Sequence, residues 1–229
     1  MEENNKMLIP GAIIVAGLLI AGAVYYNSRG GLPAPTPTEN GELQEIVLAE
    51  VTENDHILGN PDADIVIVEY SDFECPFCKT FHATMNRIVS EYDGRVAWVY
   101  RHFPIVSIHP KAPEEAQAAE CAAELGGDTA FWAYANRLFA VTPSNNGLDL
   151  DTLPDIAEFV GLDRAAFEAC LDSNRHEDTI REQTADAQRA GARGTPYSVM
   201  LLKDGNRLPI NGAQPYETVK QAIDTILAE

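Results

Sequence analysis

The chain reads as an α/β fold into which a block of helices has been inserted. Three observations carry that expectation. The run Ile65-Val66-Ile67-Val68-Glu69-Tyr70 is continuous and β-branched, as a central strand buried on both faces requires. It leads into Cys75-Pro76-Phe77-Cys78 at the head of a helical pattern. A long stretch of helical character, from about His109 to Ala192, then separates this unit from two further strands and a last helix.

Taken in order, Glu45 to Val51 has the composition of a first strand, and Asn60-Pro61-Asp62-Ala63-Asp64 is a turn before the central strand. Pro76 suits the first turn of a helix, where its missing N–H costs nothing. Cys78, Phe81, Met85, Ile88 and Tyr92 then recur at spacings of three and four on one face, and Asp93-Gly94 ends the helix. Arg95 to Phe103 is the next strand, with Val96, Trp98 and Tyr100 alternating. In the helical block, Gly126-Gly127 stops one helix and Asp128-Thr129 starts another, which carries Phe131, Trp132, Ala135, Leu138 and Phe139. After a loop at Thr142 to Gly147, a third helix bears Leu153, Ile156, Phe159 and Val160 and ends at Gly161. Asp163 caps a fourth with Phe167, Cys170 and Leu171, and His176 to Ala190 is a fifth. Strands return at Tyr197 to Leu202 and Arg207 to Ile210 around an Asp204-Gly205 turn. A final helix holds Tyr216, Val219, Ile223 and Leu227. Without the helical block, this order is the thioredoxin arrangement.

At 229 residues and 45% hydrophobic content the chain can bury the core of one domain with an insertion. A formal net charge of −19 and the lack of any basic run argue against nucleic acid or an anionic membrane surface as partner. After a short tail at 1–6, Met7 to Tyr26 is twenty residues without a charge, long enough to span a bilayer, with Tyr25-Tyr26 at the interface. A cleaved signal peptide is the alternative, with Ala21-Gly22-Ala23 as its cleavage site. The run is longer than a usual signal core, however, and the residues before it are not net basic. Residues 27–43, with Pro33, Pro35 and Pro37, form a linker to a domain at 44–229 whose helical insertion covers about 107–192. Charge does not settle the orientation. Four cysteines in two plausible pairs fit an oxidising compartment, which places the domain outside the cytoplasm as a single-pass membrane protein.

Two thiols in a Cys-x-x-Cys at the junction of strand and helix form a reactive site rather than a staple. Cys78 lies on the apolar stripe and is shielded. Cys75 precedes it, exposed at the helix mouth, where free backbone N–H groups and the positive end of the helix dipole favour thiolate. Cys75 is therefore the sulfur that exchanges with substrate, and Cys78 resolves. The competing use is half a zinc site with His82, although Cys121 and Cys170 stand alone and supply no second pair. A c-type haem is disfavoured because Lys79 follows Cys78. Glu69, within the apolar strand, is costly to bury, so its pKa is expected to rise; an edge position open to water is the alternative.

The run Val68 to Cys78, the helix Ala118-Ala119-Glu120-Cys121-Ala122, Phe131-Trp132 and Gly194-Thr195-Pro196 together resemble the DsbA-like thiol:disulfide oxidoreductases, from about Glu45 to the C-terminus. The resemblance implies a cis Pro196 opposite the cysteines, with the Thr195 backbone offered to bound substrate and Pro76 and Phe77 on the same substrate-binding surface; a simple turn proline is the alternative. It places Glu69, six residues before Cys75, as the acid that takes the Cys78 proton. It also implies a structural Cys121–Cys170 disulfide, against two separate buried thiols. DsbA itself has His where this chain has Phe77, and Asp72 and Glu74 oppose a thiolate, so a weaker oxidant is expected.

The function implied is disulfide introduction into unfolded exported proteins that carry cysteines. A membrane quinone-linked thiol oxidase would be the reoxidant, and no cofactor or metal is expected beyond the Cys75–Cys78 disulfide. A reductase or isomerase using the same residues is the alternative, though isomerases usually need a dimer. A membrane-tethered module binding metal through Cys75, Cys78 and His82 is the third reading.

Overall fold

A computed structural model describes residues 46–228. The expected membrane anchor at Met7 to Tyr26 and the linker at 27–43 lie outside the described residues. No helix among the described residues is long and apolar enough to cross a membrane.

A five-stranded sheet has the order β1-β3-β2-β4-β5, formed by β1 (His56–Leu58), β2 (Ile65–Ser71), β3 (Val96–His102), β4 (Tyr197–Leu202) and β5 (Arg207–Asn211). β2 is central, parallel to β3 and antiparallel to β4. Helix α1 (Pro76–Glu91) makes the crossover from β2 to β3. The inserted block comprises α2 (Ala112–Val141), α3 (Leu153–Phe159), α4 (Arg164–Asp172) and α5 (Glu177–Arg189), and α6 (Tyr216–Leu227) closes the chain.

Strand periodicity decides which side of the sheet each residue serves. Ile65, Ile67, Glu69 and Ser71 face one side, in register with Val96, Trp98, Tyr100 and His102. On that side α1 buries Cys78, Phe81, Met85 and Ile88, and α2 brings an aromatic cluster. Trp132 lies tilted 4.5 Å from Trp98, Phe131 lies 5.5 Å from Tyr100, and Phe139 is 4.8 Å from Phe73, between ring centres. Offset and edge-on aromatic pairs of this kind add to the burial that joins block to sheet. On the other side, Val68, Tyr70, Val99, Tyr197 and Val199 pack with Ala187 and Ala190 at the end of α5. Both faces of β2 and β3 are covered, so the alternation expected in β3 gives way to seven buried residues.

Two expectations are corrected and one is met. Residues 46–51 are not a strand: their backbone bonds go to side chains instead of a ladder. Ala49 N–H donates to Asp186, while the buried Arg101 guanidinium donates to the carbonyls of Ala49 and Glu50. Gly126-Gly127 separates two helices, as the sequence indicates. The two meet within Ala112–Val141 at Gly127, whose φ of 68° and ψ of −167° leave helical geometry and are open to glycine without a Cβ penalty. Phe159 does not join a core face, because α3 is only seven residues long and spends its buried positions on Leu153, Ile156 and Ala157. Its ring is 66% exposed, with the Arg137 guanidinium 4.0 Å over it.

Candidate active site

The chain leaves β2 at Ser71 and turns over Asp72-Phe73-Glu74 before α1 begins. Asp72 is what shapes that turn. Its buried carboxylate accepts from Glu74 N–H at 2.8 Å, Ile105 N–H at 2.8 Å and His109 Nδ1 at 2.8 Å. Cys75 then takes the N-cap of α1 with an extended backbone, and Pro76 follows in the first turn. An N-cap side chain ordinarily accepts the free N–H groups of the first turn. Here a sulfur stands in that place, with no acidic residue in the turn to compete.

The consequence is a split between the two thiols. Cys75 is lowered to about 6, first by a hydrogen bond from the Cys78 thiol and then by Thr195 and the backbone N–H groups of Cys78 and Phe77, against desolvation. Cys78, fully buried, is pushed well up by burial and by the adjacent Cys75 and Glu69 charges. Both stand as free thiols. The expectation that Cys75 is exposed is corrected: it is 5% exposed, and the side chain that projects is Phe77, at 65%. The residues just before β4 roof the sulfur. Its Sγ lies 3.4 Å from the carbonyl oxygen of Thr195, and the Thr195–Pro196 peptide bond is cis.

Glu69 sits under this pair, completely buried, with neither oxygen in a hydrogen bond. Burial drives its pKa to about 8, against the pull of the nearby Ser71 hydroxyl and Trp98 N–H. Tyr100 and Ser198 flank it on the neighbouring strands, and their hydroxyls are likewise buried and unpartnered. An acid held near neutrality beside a high-pKa thiol can trade a proton with it.

His82 does not converge with the cysteines as a ligand. Its ring is buried among Phe139 at 4.5 Å and Trp98 at 5.0 Å, and its Nε2 pairs with Asn136 Oδ1 at 2.7 Å. Desolvation lowers it to about 4. Cys121 of α2 and Cys170 of α4 are joined by a disulfide with Cα atoms 5.8 Å apart.

Residues outside the motif complete the setting. Glu74 does not point its charge at Cys75. It is buried beside Glu115 of α2, whose carboxyl burial and then Glu74 raise to about 9. The Glu74 side chain also accepts the N–H of Asn146, and its carbonyl accepts that of Asn145 at 2.8 Å. On the other side of the cysteines, Lys79 Nζ donates to Thr142 O at 2.7 Å. The loop between α2 and α3, with Ser144, Asn145 and Asn146 all left-handed, is thus clipped to both flanks of the pair. The sequence signal for Glu115 was a carboxyl on an alanine face, between Ala112, Ala116 and Ala119. The loop itself was legible at Thr142 to Gly147, but nothing local marked its contacts with Glu74 and Lys79.

An N-cap cysteine with a lowered thiol, a fully buried second cysteine and an acid beneath them, on this sheet, are the makings of a thiol:disulfide oxidoreductase. Known proteins agree. The family model described as Thioredoxin matches residues 51–225. DsbA2 of Pseudomonas aeruginosa is 30% identical, with a TM-score of 0.66 over 77% of this chain and 97% of that one. Oxidised BdbD from Bacillus subtilis superposes with a TM-score of 0.68 over 81% of this chain and 100% of its own; at 20% identity that likeness is one of fold. Among curated proteins, a Na(+)/H(+) antiporter NhaA 1 of Mycolicibacterium gilvum is 31% identical over 68% of this chain. The match spans only 24% of that protein's length, and the transport in its name is said of that whole protein. The chain belongs to the thioredoxin family and, within it, to the DsbA-like oxidoreductases.

Proposed function

We propose that the chain is an extracytoplasmic disulfide oxidase for exported proteins, held at the membrane by its N-terminal apolar segment. The observation that carries this reading is the lowered Cys75 thiol beside a raised Cys78. A stabilised thiolate favours the reduced enzyme, and so makes the oxidised form a donor of disulfides. The Cys121–Cys170 bond supports an oxidising compartment.

In this mechanism a substrate thiolate attacks Cys75 Sγ of the Cys75–Cys78 disulfide. The S–S bond breaks, its electron pair leaves on Cys78, and Glu69, still carrying its proton near neutral pH, supplies that proton. A second substrate thiolate attacks the substrate sulfur of the mixed disulfide. Cys75 leaves as a thiolate, which its low pKa makes an easy departure. The substrate is oxidised by two electrons and the enzyme reduced by two. Its dithiol is returned to the disulfide by a membrane quinone-linked thiol oxidase, with no other cofactor. Thr195 offers its backbone to the substrate as an added strand, with Pro76, the exposed Phe77 and Pro196 beside it.

The reduction potential of the Cys75/Cys78 couple, measured against glutathione, tests the direction. A value between about −120 and −200 mV is expected for an oxidase without a histidine in the dipeptide. A value near that of thioredoxin, about −270 mV, would turn the assignment to a reductase.

A further inference from the structure

The second cysteine pair has company that a structural staple does not require. His176, the N-cap of α5, stands against it, so that the two sulfurs and a ring nitrogen all lie within 4.8 Å of one another. Among the described residues this is the one cluster of three or more such donors. A fourth donor closes the group. Glu124 lies three residues after Cys121 on the same face of α2, and its Oε2 is 3.1 Å from His176 Nε2 and 4.0 Å from Cys170 Sγ.

We propose that opening the Cys121–Cys170 disulfide creates a zinc site made of both thiolates, His176 Nε2 and the Glu124 carboxylate. Zinc takes four N, S or O ligands in a tetrahedron, and two cysteines with one histidine and one carboxylate satisfy it. With Zn–S bonds of about 2.3 Å the two sulfurs stand about 3.8 Å apart. The cysteine Cα atoms, 5.8 Å apart, allow that by side-chain rotation. The sulfurs are buried, while the His176 and Glu124 side chains are 18% and 37% exposed, which gives the ion a way in. One group opposes the site: Arg175 Nη1 lies 3.4 Å from the other oxygen of Glu124. Its side chain is half exposed and free to swing away or to remain on the oxygen that zinc does not use.

The chemistry balances with a dithiol as reductant. The dithiol gives two electrons and two protons, the S–S bond breaks to two thiols, and the reductant becomes a disulfide. Zinc then displaces both thiol protons. The helical block would thus be held by a covalent bond when oxidised and by a metal when reduced. This inference is independent of the direction in which Cys75 and Cys78 operate.

The test uses the full-length chain carrying Cys75→Ser and Cys78→Ser, so that only the second pair can bind metal. Reduced with dithiothreitol, desalted without oxygen and titrated with Co²⁺, it should bind one ion per chain. The thiolate-to-cobalt band and strong visible bands of a tetrahedral site should appear, and one equivalent of Zn²⁺ should bleach them. The unreduced protein should give neither band. Affinity should fall at least tenfold in His176→Ala and by less in Glu124→Gln. Zn²⁺ should raise the melting temperature of the reduced chain, or refold it if reduction has unfolded it. No stoichiometric cobalt, the same affinity in His176→Ala, or a reduced chain indifferent to Zn²⁺ would each overturn the proposal.

Discussion

The molecule holds two cysteine pairs that are almost equally buried and chemically opposite. Cys75 and Cys78 are 5% and 0% exposed, and Cys121 and Cys170 are 0% and 1%. Burial therefore does not decide which pair reacts. Backbone placement does. Cys75 stands at a helix N-cap, where free N–H groups and a neighbouring thiol favour its anion, and Thr195, just before β4, roofs it. Cys121 and Cys170 lie inside helices, where every nearby N–H already serves its own turn. The first pair closes a ring of four residues at a seam between layers; the second ties positions 49 residues apart and works on the unfolded chain.

The sharpest way to break the comparison is to remove one reactive sulfur at a time. Cys78→Ser should abolish turnover and accumulate mixed disulfides through Cys75, whereas Cys75→Ser should abolish turnover and trap nothing. Non-reducing gels with peptide mapping read the outcome, and trapping through Cys78 would reverse the roles. In the dithiol enzyme, alkylation of Cys75 should be half-maximal near pH 6, following its lowered thiol.

Removing the other pair should cost stability and spare chemistry. Cys121→Ala with Cys170→Ala opens a loop whose closure is worth about 4 kcal/mol by chain entropy. For a domain of this size that is roughly 8–16 °C of melting temperature. Thiol:disulfide exchange activity below the new midpoint should stay within about twofold. A fall in activity as deep as that of Cys75→Ser would mean that the second pair takes part in exchange.

Glu69→Gln sharpens the contrast from beneath the reactive pair. Loss of a proton carrier should slow the step at Cys78 by roughly a hundredfold. Stability should move the other way, and the sign follows from the raised pKa. An unfolded glutamate releases its proton near about pH 4.3, but the native one holds it to about pH 8. Between those values the unfolded chain binds fewer protons, so native stability falls as pH rises. The Gln variant loses that slope, and at pH 8 it should melt higher than the parent. A parallel pH dependence in both proteins would show that Glu69 is ionised in the native state.

The smallest effect is expected at Phe77. Phe77→His puts a cation at the helix N-terminus, where it favours the Cys75 thiolate; because the position is exposed, the gain is about 1 kcal/mol or less. That corresponds to roughly 20 mV toward a less negative potential in a two-electron couple. An unchanged Cys75 pKa would mean that position 77 does not tune the site and that the Cys78 thiol, Thr195 and the backbone N–H groups set it.

Much of this contrast was legible in the residues. A continuous β-branched run marked β2, a period-3.6 stripe marked α1, and the Asp204-Gly205 turn marked the closing hairpin, because each is set by local sequence. Cys-Pro-Phe-Cys at a strand-to-helix junction marked the reactive pair, and a carboxyl inside an apolar strand marked Glu69. Other features had no local sign. The stretch 46–51 has a strand's composition, but Arg101 and Asp186, distant in sequence, take its backbone bonds. Cys75 should be open to water by its place at a helix end, yet the residues before β4 come back over it.

The sequence by itself determined the chemistry available: which thiols exist, which one begins a helix, and which acid lies in the central strand. These follow from spacing and from the intrinsic geometry of strands and helices. Only the tertiary structure decided how that chemistry is tuned. Glu74 meets Glu115 across 41 positions of sequence and turns its charge from Cys75, and the loop after α2 locks the flanks of the pair. Cys121, Glu124, Cys170 and His176 become one cluster only when α2, α4 and α5 pack together. Electrostatic energies depend on distance through space, and distance along the chain does not encode it.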